Sequence, residues 1–311
     1  MSPFHRALYL TGPTASGKTA VGVILAHRLH AEVIAMDSMT LYRGMDIGTA
    51  KPTVEERGGI AHHLIDVLDP WDSASVADYR GWAGAAIEAI EARGRRALFV
   101  GGTPLYLKAL LRGLFDGPGA DPALRSSLEA EADRIGDEAM HARLAGLDPQ
   151  TAARVHPNDR RRVVRALEVL EKTGRPISDW QRQHRGPAGV LPVFAISRPR
   201  ALLHDRINRR AEAMFRGGLI DEVRRLMDGP RPLHDVPAQG VGYREVADFL
   251  AGRIDQDEAL ARTQARTRQF AKRQETWFRG LEEVRPHPVD EGEGPERTAE
   301  ALALRIAEGS P

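Results

Sequence analysis

Short apolar runs alternate with amphipathic stretches through the first 112 residues of the chain. The runs have the length and composition of buried strands and lie at 7–10, 32–36, 64–67 and 97–100. Apolar residues from Val76 to Ala92 recur at helical spacing, and Pro104 opens another helix after the fourth run. Strands separated by helices predict an α/β fold in which a parallel sheet is flanked by helices.

The pattern changes near Gly113. From there to about residue 189 the chain is charged and poor in strand formers, with helices predicted at 122–135, 137–145 and 158–173. Gly186-Pro187 closes this stretch, and an apolar run at 191–196 predicts a strand that returns to the sheet. We therefore predict a mostly helical insertion domain at 116–189 within an α/β core.

The second half of the chain sets the remaining boundaries. Helices are predicted at about 200–227, 243–251 and 257–277. The core is thus expected in two segments, 1–115 and 190–280, of which the second is mostly helical. Residues 281–311 hold eight acidic and three basic side chains and are interrupted by Pro286, Pro288 and Pro295. This last segment is expected to be a loose, solvated and dispensable acidic tail.

Charge is separated by sign along the chain. The whole chain has a formal net charge of +1 and residues 281–311 have −5, so residues 1–280 carry +6. Two arginine-rich clusters, at 160–165 and 262–279, have the character of surfaces that neutralise a phosphate backbone. For the second cluster, the alternative is the solvated face of a helix.

Composition excludes several classes of chemistry. The chain has no cysteine, which excludes disulfides, thiolate metal sites and cysteine nucleophiles. No run is long enough to span a membrane, and the N-terminus lacks the apolar stretch of a signal peptide. The expectation is a cytoplasmic protein that does not bind membranes, and a monomeric state.

A glycine-rich loop between the first strand and the first helix carries the clearest chemistry. It fits the phosphate-binding pattern of Gly, four residues and Gly-Lys-Ser/Thr, and consists of Gly12, Pro13, Thr14, Ala15, Ser16, Gly17, Lys18 and Thr19. Its glycines let backbone N–H groups turn onto phosphate oxygens, and the helix N-terminus adds partial positive charge. Lys18 supplies a mobile positive charge, and the Thr19 hydroxyl can coordinate Mg²⁺.

The carboxylate that accompanies this loop does not lie where an ATPase has it. In such enzymes a strand ending in Asp holds the magnesium ion, yet the strand at 97–100 ends in Gly101-Gly102-Thr103. Asp37 follows the strand at 32–36 instead, and the carboxyl ends of parallel strands face one crevice. We therefore expect Asp37, Thr103 and the loop around one pocket. Spacing alone leaves Asp37 as a magnesium ligand, a general base or a cap of the next turn.

The phosphate-binding loop is the first of nine short motifs. They are Gly12–Thr19, Asp37-Ser38, Met45–Pro52, His62–Asp66, Gly101–Tyr106, His156–Asp159, Gln239–Arg244, Lys272–Gln274 and Trp277–Arg279. Each is unremarkable alone, but the ordered set resembles the bacterial tRNA isopentenyltransferase family, whose members are tRNA dimethylallyltransferases. The resemblance runs from Gly12 to about Arg279, and the cysteine-free chain lacks the zinc finger of the family's eukaryotic relatives.

The resemblance implies a reaction. Such enzymes move a dimethylallyl group from dimethylallyl diphosphate to the exocyclic N6 of the adenosine immediately 3′ of the anticodon in tRNA, and they release diphosphate. The loop and Mg²⁺ held near Thr19 would then bind the diphosphate. Lys18, Thr19 and Arg210 would stabilise the charge that develops on it. Asp37 matches the family's general base, which takes a proton from the adenine amine.

The resemblance also implies an RNA-binding surface for the anticodon stem-loop. The adenine must leave its stack to reach the pocket, and recognition of a loop combines backbone charge with contacts to splayed bases. The residues that match tRNA-contacting positions are Asp37, Ser38, Met39, Thr40, Thr103, Arg125, Asn158, Asp159, Arg160, Arg161, Arg162, Gln239, Gly240, Val241, Gly242, Tyr243 and Arg244.

Other interpretations predict different behaviour. A P-loop kinase or ATPase would turn over ATP, and a non-catalytic RNA-binding module would leave the loop and Asp37 unexplained. His62 and His63 are adjacent residues of a predicted strand entry and point to opposite faces, so packing or a hydrogen bond is favoured over a shared metal ion. Trp180 is favoured as a packing residue over a base-stacking one.

Overall fold

The computed structural model describes residues 2–114, 117–183 and 192–308. Gly186-Pro187 and Leu191, which were predicted to mark the end of the insertion, lie outside the described residues. The strands are β1 (Leu8–Thr11), β2 (Ala31–Ala35), β3 (His62–His63), β4 (Arg96–Val100), β5 (Val193–Ser197) and β6 (Val284–Pro288). None of the helices in the described ranges is long and apolar enough to cross a membrane.

Fourteen α-helices accompany the strands in the described part of the chain. They are α1 (Lys18–Arg28), α2 (Val76–Ala92), α3 (Pro104–Arg112), α4 (Pro122–Ile135), α5 (Asp137–Leu147), α6 (Pro149–Ala152), α7 (Arg160–Thr173), α8 (Ile177–Gln183), α9 (Arg200–Arg216), α10 (Leu219–Met227), α11 (Asp235–Ala238), α12 (Tyr243–Leu250), α13 (Gln256–Arg279) and α14 (Pro295–Glu308).

The six strands form one parallel sheet in the order β3-β2-β4-β1-β5-β6. The central strand β1 pairs with β4 through Leu10 and Val100 and with β5 through Leu10 and Phe194. Because all strands run the same way, β1, β2 and β4 end at the same edge, where the glycine loop, Asp37 and Gly101 follow them. The predicted fold class, a parallel sheet flanked by helices, is confirmed.

Each face of the sheet is buried under a separate apolar layer. In β1, Tyr9 belongs to one layer, where its ring stacks on Phe99 at a centroid distance of 5.0 Å. Its neighbours Leu8 and Leu10 belong to the other layer, which includes apolar residues of α1 and α14. This two-sided burial explains why the strands read as continuous apolar runs rather than as alternating ones.

Two predicted elements differ from the structure. The third strand is His62–His63 rather than 64–67, because Leu64 and Asp66 adopt left-handed backbone conformations (φ of 60° and 58°) that end the extended segment. The single helix predicted at 200–227 is two helices, α9 and α10. Gly217 ends the first, and Gly218, with φ of 101°, begins the second.

The predicted loose tail was wrong. Residues Val284–Pro288 form β6, which extends the sheet by pairing with β5 over its whole length. Helix α14 then packs Ala299, Leu302 and Ile306 into the layer that covers Val21 and Leu25 of α1. Because α14 buries apolar residues against α1, its acidic residues are the polar face of a core helix.

The chain divides into two compact units. The first comprises residues 1–111 and 188–311 and holds the sheet, and the second comprises 112–187, close to the predicted insertion of 116–189. In its described residues the second unit has its own apolar core, formed by side chains such as Leu128, Leu144 and Leu167. Trp180 packs against this core with Arg175 over its ring at 4.8 Å, in agreement with the packing interpretation.

Candidate active site

The glycine loop connects β1 to α1 in a conformation that its glycines make possible. A Cβ at Gly12 would lie 2.7 Å from the carbonyl oxygen of Ile196, so no larger residue fits there without movement. Gly17 caps α1 with a left-handed backbone (φ of 97°), and the non-glycine Ala15 is also left-handed at 63°. The loop therefore wraps closely around the N-terminus of α1.

Four backbone N–H groups of the loop remain available to an anion. Thr14 donates to Oε1 of Gln274 at 2.8 Å, and Ser16 donates to the carbonyl oxygen of Pro13 at 3.2 Å. Within the described residues no acceptor is found for the N–H groups of Ala15, Gly17, Lys18 and Thr19, which lie at and just before the start of α1. Unpaired donors at a helix N-terminus are a ready site for phosphate.

Two cations lie beside these donors. Burial lowers the pKa of Lys18 to about 8; the Asp37 carboxylate opposes that shift, and Arg210 adds to it. Burial likewise lowers the pKa of Arg210 to about 10, again against the favourable charge of Asp37. The Arg210 guanidinium donates to the Thr14 hydroxyl. Two partly buried like charges at one site favour the binding of a polyanion that neutralises both.

Two further arginines hold the loop through its carbonyl groups. Arg198 Nε donates to the carbonyl oxygen of Ser16 at 2.7 Å, and Arg206 Nε donates to that of Ala15 at 2.8 Å. Sequence reasoning assigned no role to either residue, although Arg206 lies one helical turn before Arg210. These bonds keep the carbonyl oxygens occupied by cations rather than facing an anion.

Asp37 lies immediately beyond β2 and is fixed by its own turn. Its Oδ1 accepts the Met39 N–H at 2.9 Å, and the Thr40 hydroxyl donates to the Asp37 carbonyl oxygen at 3.3 Å. The Ser38 N–H donates to the Thr103 hydroxyl at 3.1 Å, which links this turn to the end of β4. The carboxylate therefore also has the role of a turn cap, one of the three roles that spacing left open.

A cavity of about 100 Å³ brings the loop and Asp37 together. Its polar wall includes Thr14, Lys18, Thr19, Asp37 and Arg210. Apolar side chains of the strand ends and of the following loops complete it, among them Val33, Ile65 and Val100. Thr103 is not a wall residue and acts instead through the Ser38 N–H. Cations, one carboxylate and a hydrocarbon surface thus share a small volume.

The two adjacent histidines have separate partners. His62 lines the cavity, and its Nδ1 bonds to the carbonyl oxygen of Ile60 at 2.9 Å, while burial lowers the pKa of the ring. Nε2 of His63 bonds to the buried Glu32 at 2.7 Å, and Arg93 also donates to that carboxylate. These bonds, above all the one from Arg93, hold the pKa of Glu32 at about 2.

Buried charged side chains hold the segment that contributes Thr49 and Ala50 to the cavity. The Glu222 carboxylate, on α10, accepts the N–H groups of Asp46, Ile47 and Gly48 at 2.8–3.1 Å. Lys51 Nζ donates to Asp46 and to Asp66, each at 2.6 Å. None of these partners could be recognised from sequence as a support of the cavity.

The segment 239–244, which was predicted to contact tRNA, packs beside the turn of Asp37. A Cβ at Gly240 would lie 2.7 Å from Cε of Met39, so the two segments touch. Tyr243 is different: its side chain is 2% exposed, and its hydroxyl donates to Glu222 at 2.6 Å. The phenol therefore supports the cavity from within the core, and a tRNA contact of this residue stays a prediction. Arg244 is exposed.

In the helical unit, the predicted tRNA-binding residues cluster at the N-terminus of α7. Asp159 caps this helix, and Arg160 is paired with Asp133 and Asp137 at 2.5 Å each. Arg125 pairs with the buried Glu168 at 2.8 Å. Arg161 is exposed, and no partner for it is found within the described residues. Arg161 is therefore freer to meet an RNA phosphate than its neighbour Arg160.

The basic cluster at 262–279 is also partly neutralised. On α13, Arg262 pairs with Glu258, and Arg266 pairs with Glu245. Arg268 donates to Asn208 at 2.6 Å. A shallow groove of about 260 Å³ between α12 and α13 is nevertheless lined by Arg244, Arg262 and Arg266 together with Glu245 and Asp248.

Oxygen donors at the loop determine whether a magnesium ion fits. In the described residues no group of three or more His, Cys, Asp or Glu could hold a metal by itself. Thr19 and Asp37 both line the cavity and offer a hydroxyl and a carboxylate oxygen. Mg²⁺ keeps several waters and is usually held by one or two protein oxygens together with substrate phosphates. The donor set fits an ion bound together with diphosphate.

A parallel sheet, a glycine loop with free N–H groups and a carboxylate across a small cavity define an α/β protein with an anion-binding loop. Comparison of sequences then gives the family. The model of the IPP transferase family matches residues 40–281, and that of isopentenyl transferase matches residues 6–66. The chain belongs to the IPP transferase family and is a transferase.

Individual relatives resemble the chain over nearly its whole length. The tRNA dimethylallyltransferase of Anaeromyxobacter sp. (strain K) is 46% identical and aligns over 98% of both chains. The tRNA dimethylallyltransferase 1 of Trichlorobacter lovleyi is 47% identical over 88% of this chain and 90% of its own.

Solved structures agree. The full-length tRNA isopentenylpyrophosphate transferase of Bacillus halodurans matches with 40% identity and a TM-score of 0.72, covering 98% of both chains. A eukaryotic dimethylallyltransferase described as acting on tRNA matches with 26% identity and a TM-score of 0.81. That match covers 97% of this chain and 78% of the other.

Proposed function

We propose that the protein transfers a dimethylallyl group from dimethylallyl diphosphate to N6 of the adenosine immediately 3′ of the anticodon in tRNA. The observation that carries the proposal is the cavity that combines Lys18, Arg210 and Asp37 with an apolar wall. The reaction needs a site for an anionic leaving group, an apolar site for a short hydrocarbon, and a general base. Membership of the family and the names of the relatives support it.

The diphosphate half of the cavity acts on the leaving group. When the bond from the allylic carbon to oxygen breaks, negative charge grows on the diphosphate. The free N–H groups at 15 and 17–19, together with Lys18 and Arg210, are directed at that charge before the reaction begins. Thr19 would hold Mg²⁺ on the diphosphate, where the ion supplies Lewis-acid stabilisation of the departing oxygens.

The Asp37 half acts on the acceptor. The lone pair of the adenine amine is delocalised, so a proton must leave N6 as the new carbon–nitrogen bond forms. One oxygen of Asp37 accepts the Met39 N–H, and for the other no hydrogen-bond partner is found in the described residues. That second oxygen is available to accept the N6 proton, the task of a general base.

Contact with RNA would combine two kinds of surface. In the first unit, the exposed Arg244 lines the groove between α12 and α13. In the helical unit, Arg161 lies in the first turn of α7 with an exposed side chain. Cations of this kind contribute affinity by contacting the phosphates of the RNA backbone, whereas the cavity selects the adenine. The proposal includes a monomeric state and a cytoplasmic location.

The kinase interpretation loses support from the end of β4. A Cβ at Gly101 would lie 2.0 Å from the carbonyl oxygen of Met36, so the strand end that carries Asp in ATPases is restricted here to glycine. The carboxylate of Asp37, which follows β2, lines the same cavity as the loop.

The direct test is transfer of labelled dimethylallyl from its diphosphate to unmodified tRNA in the presence of magnesium. Anticodon loops with adenosine or guanosine at the acceptor position would be compared, and ATP would replace the donor as a control. Label on the adenosine substrate alone is the expected result. Hydrolysis of ATP without prenyl transfer would overturn the proposal in favour of a kinase or ATPase.

A further inference from the structure

Gln274 lies on α13 and has no part in the chemistry described above. Its side chain is 2% exposed in the middle of the first unit. The carboxamide forms two hydrogen bonds to backbone groups of two different loops. Its Oε1 accepts the Thr14 N–H at 2.8 Å, and its Nε2 donates to the carbonyl oxygen of Gly102 at 2.5 Å. One side chain therefore joins the phosphate-binding loop to the end of β4.

The contact at Gly102 is where three parts of the site converge. A Cβ placed on Gly102 would lie 2.6 Å from Nε2 of Gln274, 3.2 Å from the carbonyl oxygen of Gly12 and 3.3 Å from Nζ of Lys18. Glycine at this position lets the amide, the loop and the ammonium group approach one another. The distance between the loop and the β4 end is thus set by direct contact.

The end of β4 also holds the turn that contains Asp37. Thr103, the residue after Gly102, accepts the Ser38 N–H with its hydroxyl at 3.1 Å and donates its own N–H to the Met36 carbonyl oxygen at 3.2 Å. Met36 and Ser38 flank Asp37. A continuous series of hydrogen bonds therefore runs from Thr14 through Gln274 and the β4 end to both sides of Asp37.

We propose that Gln274 is a positioning residue that fixes the phosphate-binding loop relative to Asp37, so that the donor carbon and the adenine amine meet in line. The inference rests on the proposed function. A carboxamide suits the position because it offers an acceptor to Thr14 and a donor to Gly102. A carboxylate would still accept the Thr14 N–H, but it would be repelled by the Gly102 carbonyl oxygen. An apolar side chain would lose both hydrogen bonds.

The experiment compares three full-length variants with the wild-type protein. Gln274→Met removes both hydrogen bonds at similar volume, and Gln274→Glu removes only the donor to Gly102. Gln269→Met is the matched control, since Gln269 lies on the same helix with an exposed side chain. For each protein we would measure kcat and KM for both substrates, tRNA affinity by filter binding, and the thermal midpoint.

For Gln274→Met we expect kcat to fall on the order of 10–100-fold at a temperature well below its midpoint, because a small misplacement of reacting groups has effects of this size. The affinity for tRNA should stay within about twofold of wild type, and Gln269→Met should match wild type throughout. Unchanged kcat with only a lower midpoint would reduce Gln274 to a structural residue and overturn the inference.

Gln274→Glu gives an independent result if the methionine variant does not fold. A protonated glutamic acid can donate to the Gly102 carbonyl oxygen, whereas its carboxylate cannot. The ratio of variant to wild-type kcat should therefore rise as pH falls. A ratio near one at every pH would contradict the proposal. Absence of transfer by the wild-type protein would refute the proposed function itself, a distinct outcome.

Discussion

At the scale of single residues, the two oxygens of Asp37 have different tasks. Oδ1 accepts the Met39 N–H and closes the turn, and the second oxygen is available to the acceptor amine. Asp37→Asn preserves the shape and can keep the bond to Met39, but it removes the base. Transfer is expected to fall by about 10²–10⁴-fold, the usual contribution of a general base. Single-turnover assays with saturating tRNA would measure it.

The control for this substitution is Asp257→Asn, an exposed carboxylate in the first turn of α13. It should leave the transfer rate unchanged. Binding of tRNA should also be retained by Asp37→Asn. If binding and transfer were lost in equal measure, Asp37 would be a binding residue and the assignment of the base would fail.

Lys18 makes donor binding depend on pH. Burial lowers its pKa to about 8, so the free protein loses this charge as pH rises through 8, although Asp37 opposes the loss. An anionic donor stabilises the ammonium form and raises its pKa on binding. Affinity for dimethylallyl diphosphate should therefore decline above about pH 8, with uptake of a proton in that range.

Calorimetry in buffers of different ionisation enthalpy, between about pH 7 and pH 9.5, would measure this uptake. Lys272→Met provides the matched control, because Lys272 is exposed on α13. Proton release on binding, or affinity that is constant across the range, would contradict a depressed pKa at Lys18.

Whether a residue of the site could be predicted from the sequence depends on how far along the chain its partners lie. The loop and Asp37 were recognisable because each directly follows a strand of a parallel sheet. Gln274 contacts Thr14 across 260 positions, and the pairing of Glu222 with the N–H groups of 46–48 has no local pattern. Tyr243 was assigned to RNA because it belongs to a motif, and only its burial shows that the motif also has a structural role.

At the scale of elements, α14 contributes to the stability of the core, which the acidic composition of residues 281–311 did not indicate. Leu302 is fully buried (0% exposed), whereas Leu304, two residues later on the same helix, is 61% exposed. Leu302→Ala is expected to lower the free energy of unfolding by about 2–5 kcal/mol, because it leaves a cavity in the layer between α14 and α1. Leu304→Ala should change it by less than about 0.5 kcal/mol.

Denaturant unfolding of the two variants would decide whether the C-terminal segment is part of the core. Equal and negligible effects would restore the interpretation of a dispensable tail. The sequence misled there for physical reasons. The acidic residues are counted over the whole segment 281–311, although α14 itself is mostly apolar. Pro286 lies in β6, an edge strand where a missing N–H is tolerated. Periodicity at 299, 302 and 306 was the signal to follow.

At the scale of the whole molecule, net charge is a poor guide to the RNA-binding surface. Residues 1–280 carry +6, but many of the arginines in the two clusters are already paired with carboxylates of their own unit. Only cations without such partners release counterions when a phosphate binds. The pairing within the structure, rather than the count of arginines, therefore predicts which positions govern the salt dependence of tRNA affinity.

Arg160 and Arg161 allow this to be tested side by side. Arg161→Ala should weaken tRNA binding and reduce the slope of log affinity against log salt by about one, because an exposed and unpaired cation is lost. Arg160→Ala should change the slope less and lower the thermal midpoint, because Arg160 is held by Asp133 and Asp137. Arg297→Ala, an exposed arginine of α14, is the control and should change neither. Identical slopes for all three variants would show that the N-terminus of α7 does not contact the tRNA backbone.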